Sequence, residues 1–192
     1  MLGCQKEVSI DSRINPPTQQ ALLNLGDSAQ GGIVYYILQP GDTGYDANVQ
    51  HGLIAAKQDQ GFLSWNNNVQ MTYPITSEQL GTGSSNTYAI VNAIGTTASG
   101  NAYAAEICQN LVLNGYNDWY LPSKIEIEKL AGFVTDSLNI QNQYLTGFNG
   151  SYWSSTYNNN NWGAFFQCLN EVCIMLFYYP EAPLGVRAIR SF

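Results

Sequence analysis

Charge is scarce in this 192-residue chain: only 11% of its residues are charged. Seven Lys and Arg face fourteen Asp and Glu, a formal net charge of −7. Such a chain repels a phosphate backbone, so nucleic acid is not an expected partner. Histidine is nearly missing as well. His51 stands alone between a loop and a strand, and without further His or spaced Cys it cannot anchor a zinc site, so it reads as a capped loop residue. No apolar run reaches the ~18–20 residues that a membrane helix needs. The longest, Ile174 to Tyr179, has the length of a strand. Also missing are a Gly-x-Ser-x-Gly elbow, a phosphate-cradling Gly-rich loop, and any Ser, His and Asp set that spacing would nominate. Asp42, Asp46 and Asp59 match no calcium-loop interval and read as solvated carboxylates. Glu126 and Glu128 face different sides of a helix, which argues against an acid/base pair. No catalytic residue, metal site or cofactor is expected, and the chain reads as a non-enzyme.

What is abundant is small, polar or aromatic: 18 Gly and 13 Tyr, with many Asn, Ser and Thr. That composition suits a loop-rich fold with a polar, uncharged surface, common outside the cytosol. The length, and the lack of a long linker, favour a single domain over residues 22–192 after a leader spanning 1–21. In the leader, Met1-Leu-Gly-Cys4 resembles the tail of a bacterial lipobox, in which the cysteine is lipidated. Cys4 would then anchor the protein to the bacterial surface or outer membrane, its only link to a membrane, and residues 5–20 with Pro16-Pro17 would act as a tether. The plainer alternative is an incidental thiol.

Along the domain, Gly31-Gly-Ile-Val-Tyr-Tyr-Ile-Leu38 reads as a strand ending in the turn Gln39-Pro-Gly-Asp42. His51-Gly-Leu-Ile-Ala-Ala56 is a second strand, and the two are expected to pair as a hairpin. Ala104, Ile107, Cys108, Leu111 and Val112 fall at helical spacing within 101–113, with Gly115 as a C-cap. Ser123 and Glu126 form an S-x-x-E capping box, so a second helix should start there, directly after strand-like Trp119-Tyr-Leu, and run through Ile127, Leu130 and Phe133. Phe62 to Ser99 gives few signals and is expected to be mostly loop. From residue 150 onward, Tyr152-Trp-Ser-Ser, Trp162 to Leu169, Val172 to Tyr179 and Val186 to Arg190 read as strands. The sum is an α+β fold with two helices, a mainly antiparallel sheet and long loops.

Cys168 and Cys173 flank Leu169-Asn-Glu-Val172. With Asn170-Glu171 as a two-residue hairpin turn, they would form a non-hydrogen-bonded pair with Cα atoms about 4.5 Å apart, which a disulfide tolerates. The expectation is a disulfide that stiffens the hairpin tip, with two free thiols as the alternative. So short a loop should contribute less than the ~3 kcal/mol of a 15-residue one. Cys108, on the apolar face of the first helix, reads as a buried small hydrophobe.

Several phrases stand in a specific order: Leu25-Gly-Asp-Ser-Ala-Gln-Gly-Gly-Ile-Val-Tyr-Tyr36, His51-Gly-Leu-Ile-Ala-Ala56 with Asp59-Gln60 and Trp65, and Gly81-Thr-Gly-Ser-Ser-Asn-Thr87. Asn117-Asp-Trp-Tyr-Leu-Pro-Ser-Lys124, Tyr152-Trp-Ser-Ser-Thr156 and Val186-Arg-Ala-Ile-Arg190 follow. Together they resemble the Lcl C-terminal domain family of bacterial surface proteins and lipoproteins, over about residues 22–192. The resemblance implies a C-type-lectin-like fold in which the opening strand pairs with the closing one. It also implies an adhesion or ligand-binding module, since a named member is a collagen-like adhesin that binds host glycans. It implies no particular ligand. The motifs of calcium-dependent sugar binding are not in place, because Gln39-Pro-Gly-Asp42 is interrupted and sits near the first strand.

The tract 163–179 departs from the family's polar, glycine-rich turns by carrying Phe165, Phe166, two Cys, Ile174, Met175 and Leu176. These are either the buried faces of two strands or a hypervariable surface. Some C-type-lectin-like proteins are targets of diversity-generating retroelements, which scatter Asn codons into Tyr, Phe, Cys, Leu, Ile, Asp and Ser. That spectrum fits here, as does ordinary family variation. The expected binding face spans about 152–181, with Tyr157, Asn158, Asn159, Asn160, Asn161, Trp162, Asn170, Glu171, Tyr178 and Tyr179 as contacts to an extracellular protein or glycan. Aromatics give contact area at low entropy cost, and amides give adaptable hydrogen bonds. Two other readings are a structural module of a surface assembly and, further off, a formylglycine-generating-type oxidase, for which two cysteines on a hairpin are a poor match.

Overall fold

The computed structural model describes residues 21–67, 73–74, 76–97, 102–138, 150–158, 163–168 and 176–192. Within them the chain is α+β, with three helices and two mostly antiparallel sheets. The first sheet has the order β1-β2-β3-β9, formed by Ser28–Ala29, Gly32–Ile37, Gly52–Ala56 and Ile189–Ser191. The second has the order β4-β8-β5-β6-β7, formed by Gly61–Leu63, Leu184–Val186, Ser151–Asn158, Gly163–Cys168 and Leu176–Tyr178. No helix among the described residues is long and apolar enough to cross a membrane.

β2 and β3 form the expected hairpin, with Tyr35 as the extra residue of a bulge between the pairs Val34↔Ile54 and Tyr36↔Leu53. β3 is buried along its whole length. Leu53 and Ala55 belong to one core with Tyr35, Ile127 and Leu130, while Ile54 and Ala56 belong to the other with Val34, Trp65, Ile90 and Trp153. The first sheet is therefore covered on both faces, which is why its central strand reads as an unbroken apolar run.

The closing segment differs from expectation. Val186 to Arg190 is not one strand: β8 ends at Val186 in the second sheet and β9 begins at Ile189 in the first. Arg187 and Ala188 bridge the two, with the Ala56 N–H donating to the Ala188 carbonyl and the Gln60 N–H to the Val186 carbonyl, both at 2.9 Å. Arg187 is buried at this crossing. Its guanidinium pairs with Asp59 at 2.6 Å and donates to the Ala56 carbonyl at 2.8 Å. Asp59 also accepts from the Tyr152 hydroxyl at 3.0 Å, so it is a paired carboxylate rather than the solvated one expected. The closing strand pairs with β3, the second strand of the hairpin, not with the opening one.

The capping box is present. The Ser123 N–H donates to the Glu126 carboxylate at 2.7 Å and the Glu126 N–H to the Ser123 hydroxyl at 3.3 Å, starting α3 over Lys124–Leu138. Of Trp119-Tyr-Leu, expected to be strand-like, only Tyr120 makes a β-bridge, to Ile189. α2 spans Ala104–Gln109, shorter than expected. Gly115 does not cap it. Asn114 and Gly115 both have positive φ, 54° and 82°, and close a tight turn in which Leu113 and Tyr116 exchange hydrogen bonds.

The largest departure is α1, a helix at Gly83–Ile94 inside the stretch expected to be loop. Its buried face carries Asn86, Thr87 and Ile90, so the apolar periodicity that marks a helix is weak. Its buried polar side chains find partners beyond the helix: Asn86 donates to the Ser155 hydroxyl at 3.1 Å, and Thr87, which donates to the helix's own Gly83 carbonyl at 2.8 Å, accepts from the Leu121 N–H at 3.0 Å. Thr82, the N-cap residue, makes no side-chain cap bond, and the first turn holds no acid. Glu126 supplies the anion instead, accepting from the Gly81 N–H at 3.1 Å. A single carboxylate thus serves the starts of α1 and α3. Burial raises its pKa, against the lowering effect of the donors around it.

Candidate ligand-contact edge of the second sheet

β5 leaves its ladder in the middle. Pairing with β6 runs Ser151↔Cys168 to Trp153↔Phe166 and resumes at Tyr157↔Ala164. Between these, Ser154, Ser155 and Thr156 are buried and lie outside the paired register. Ser154 donates to the Phe165 carbonyl at 3.0 Å, the Ser155 N–H to the Pro122 carbonyl at 2.7 Å, and Thr156 to the Ser77 carbonyl at 3.1 Å. The Lys124 N–H donates to Thr156 at 3.0 Å, which ties the start of α3 to this strand. These hydroxyls satisfy buried backbone groups and so fix the sheet that carries the outer strands.

β6 and β7 continue the sheet outward in the register Ala164↔Tyr178, Phe165↔Phe177 and Phe166↔Leu176. Their two faces carry different aromatics. On one, Phe165 meets Phe177 with ring centroids 4.0 Å apart, and the Lys124 ammonium lies 4.9 Å from the Phe165 centroid. On the other, a chain of rings climbs from core to solvent: Trp153 to Phe166 at 6.5 Å, Phe166 to Tyr178 at 5.9 Å, and Tyr178 to Tyr179 at 5.9 Å. Trp153 is fully buried, whereas Tyr178 is 45% and Tyr179 73% exposed. The bland expectation for Phe165 and Phe166, the inner faces of strands, is met, since one is buried and the other half-buried.

Tyr157, expected among the contacts, is a core residue at 7% exposure. Its ring packs 5.4 Å from Trp65 and 4.5 Å from Tyr73, and burial pushes its hydroxyl above the ordinary tyrosine pKa. Asn158, half-buried, ends β5 opposite Gly163. Asn159, Asn160, Asn161, Trp162, Asn170 and Glu171 lie outside the described residues, as do Cys4 and Cys173. Cys168 is disulfide-bonded, with its partner outside the described residues, and Cys108 is free and buried. The described β6–β7 register is offset by one residue from that of an Asn170-Glu171 two-residue turn, which would place Cys168 opposite Cys173.

Beside the tyrosines lies a polar group that the sequence did not flag. The Asn66 amide donates to the Tyr73 hydroxyl and, at 3.3 Å, to the exposed Glu181 carboxylate. The Trp65 N–H donates to the Pro180 carbonyl at 2.8 Å, which clamps the segment after Tyr179 to the loop after β4. Burial raises the Tyr73 pKa, with the Asn66 hydrogen bond opposing it. Only the long-range approach of Trp65, Asn66 and Tyr73 to Pro180 and Glu181 brings these groups together, so spacing along the chain carries no sign of it. The edge therefore offers two exposed phenol rings, at and just past the end of β7, and the Glu181 carboxylate held by the buried Asn66 amide. Among the described residues no three His, Cys, Asp or Glu side chains group as a metal centre.

Compared with known families and with curated proteins, the chain matches no family model and no curated sequence.

Proposed function

We propose that this chain is a bacterial surface module for adhesion or ligand binding, with a C-type-lectin-like fold, tethered through a lipid on Cys4. It meets an extracellular protein or glycan with the aromatic edge of its second sheet. The observation that carries this reading is the pair Tyr178 and Tyr179, side by side and open to solvent at the outer strand while the rings behind them are packed. Exposed aromatics on a rigid strand supply contact area with little entropy left to lose. The ordered phrases that resemble the Lcl C-terminal domain family support the fold, as does a closing strand that returns to the sheet of the opening hairpin. Asn159 to Trp162 join β5 to β6 in sequence, and Asn170 and Glu171 lie between β6 and β7, so they adjoin this edge along the chain.

Screening the purified protein against arrays of glycans and extracellular proteins tests the reading, with Tyr178→Ala/Tyr179→Ala alongside. Binding by the wild type that the double variant loses is expected; equal binding by both would remove the edge from the site. We further propose that the tract is variable sequence held on a fixed frame. A near-repeat of its coding sequence, differing only at template adenines, would support retroelement targeting, and a locus without one would exclude it.

A specific observation favours a second reading. β7 is the outermost strand of its sheet among the described residues, and an outermost strand can pair with another chain. A structural module of a surface assembly would use that edge to build oligomers. Light scattering showing a concentration-dependent rise in mass would favour assembly over adhesion.

A further inference from the structure

The turn after β2, the start of β3, the first turn of α1 and the end of β9 line a cavity of about 370 Å³. None of its described lining residues comes from residues 150–186. Its volume lies within the roughly 300–1,000 Å³ of small-molecule sites. The walls divide by chemistry. Leu38, Leu53, Leu80 and the Phe192 ring form an apolar side, while His51, Ser84, Tyr120 and Ser191 supply polar groups.

The polar side is held in place. Phe192 and Gly52 exchange backbone hydrogen bonds at 3.1 and 3.2 Å, and the main-chain oxygen of Phe192 lies 3.1 Å from His51 Nδ1. That oxygen is an acceptor, so Nδ1 carries the proton, and in the neutral ring Nε2 is left as an acceptor. Neither Nε2 nor the exposed Ser84 hydroxyl has a hydrogen-bond partner among the described residues. Gly52 has to be glycine, because a Cβ there would run into the Tyr36 backbone carbonyl, and it would also meet the Phe192 ring at 2.7 Å. Tyr120 forms a buried wall, with its hydroxyl 3.4 Å from Glu126.

Among the described residues no Lys, Arg, Asp or Glu lines the cavity. The Glu126 carboxylate behind Tyr120 takes the Gly81 N–H and lies against Gly83, so the start of α1 already faces one negative charge. The net charge of −7 further disfavours anions. We propose that this cavity binds an uncharged, ring-sized molecule with hydroxyl groups around an apolar face, the chemistry of a neutral sugar ring. Its apolar face lies on Leu38, Leu80 and Phe192, and its hydroxyls bond to His51 Nε2 and Ser84. This site is independent of the tyrosine edge and does not rest on it.

The test is an amide-detected NMR titration of the full chain with glucose, galactose, mannose and N-acetylglucosamine, and with glucuronate and glucosamine as charged counterparts. At least one neutral sugar should give saturable shifts at Gly44, Gly52, Gly81 and Ser84, at least about tenfold tighter than the charged rings. Ser84→Phe and Thr43→Trp, each placing a bulky ring at the mouth from an exposed position, should abolish those shifts while the thermal midpoint stays near that of the wild type. Tyr178→Ala/Tyr179→Ala should leave them unchanged. No saturable shift from any of the four neutral sugars, equal or tighter binding of a charged ring, or shifts that persist in both blocked variants would overturn the proposal.

Discussion

At the residue scale, Glu126 and Gly83 show how one contact sets two helix starts. The Glu126 carboxylate sits where a Cβ on Gly83 would lie, and that Cβ would also meet the Tyr120 ring at 2.7 Å and the Leu121 carbonyl at 2.9 Å. Helix propensity alone would favour alanine at this position by up to ~1 kcal/mol. Overpacking costs about 1–3 kcal/mol, so Gly83→Ala should lower stability despite the propensity gain. Thermal denaturation should show a lower midpoint, and a raised one would contradict the account. Asp118 gives the complementary test in pH. Its hydrogen bonds from Arg190, both 2.7 Å, hold its carboxyl below the ordinary aspartate value of 3.8, against the raising effect of burial. A folded-state pKa that is depressed adds stability that is present above the ordinary value and lost as pH falls through the depressed one. Asp118→Asn should therefore flatten the fall in urea midpoint below about pH 4. An unchanged acid limb would contradict the pairing.

At the scale of elements, the Asp59–Arg187 pair marks the point where the chain leaves one sheet for the other. Removing one partner of a buried pair leaves an uncompensated charge and costs about 3–5 kcal/mol. Because Asp59 is 36% exposed, Asp59→Ala should fall at or below the lower end of that range. Adding Arg187→Met should recover part of the loss, since it removes the stranded guanidinium. Urea unfolding of both variants checks this, and a double variant no more stable than Asp59→Ala would show that the pair is not what holds the crossing.

The same scale shows what could be read along the chain. The β2–β3 hairpin was legible because β2 is rich in β-branched and aromatic residues and β3 is an apolar run across a turn from it, and α3 because Ser123 and Glu126 satisfy each other locally. α1 was not legible. Asn86 and Thr87 are buried through bonds to Ser155 and to helix carbonyls, contacts that do not show in a hydropathy pattern. The split of Val186 to Arg190 was hidden for a related reason: both halves are buried, and the switch depends on Asp59, 128 residues away. In the site, Tyr178 and Tyr179 were legible as exposed-type aromatics at the end of a strand. Tyr157 was misread because its neighbours in sequence are polar, whereas its neighbours in space are Trp65 and Tyr73.

For the whole molecule, the arrangement is a buried first sheet with helices packed on it and a second sheet whose outer strands carry rings from core to solvent. Residues 154–156 fasten that second sheet to the start of α3, so the exposed tyrosines are held on a frame rather than on a free loop. We propose this edge as the place where a ligand is met. Its most direct test is surface plasmon resonance of the wild type and Tyr178→Ala/Tyr179→Ala against the strongest binder from the array. Loss of two exposed aromatic anchors should weaken binding by at least about 2 kcal/mol, some thirtyfold, with the thermal midpoint unchanged because neither ring is buried. A dissociation constant that stays within a factor of about two would contradict the account.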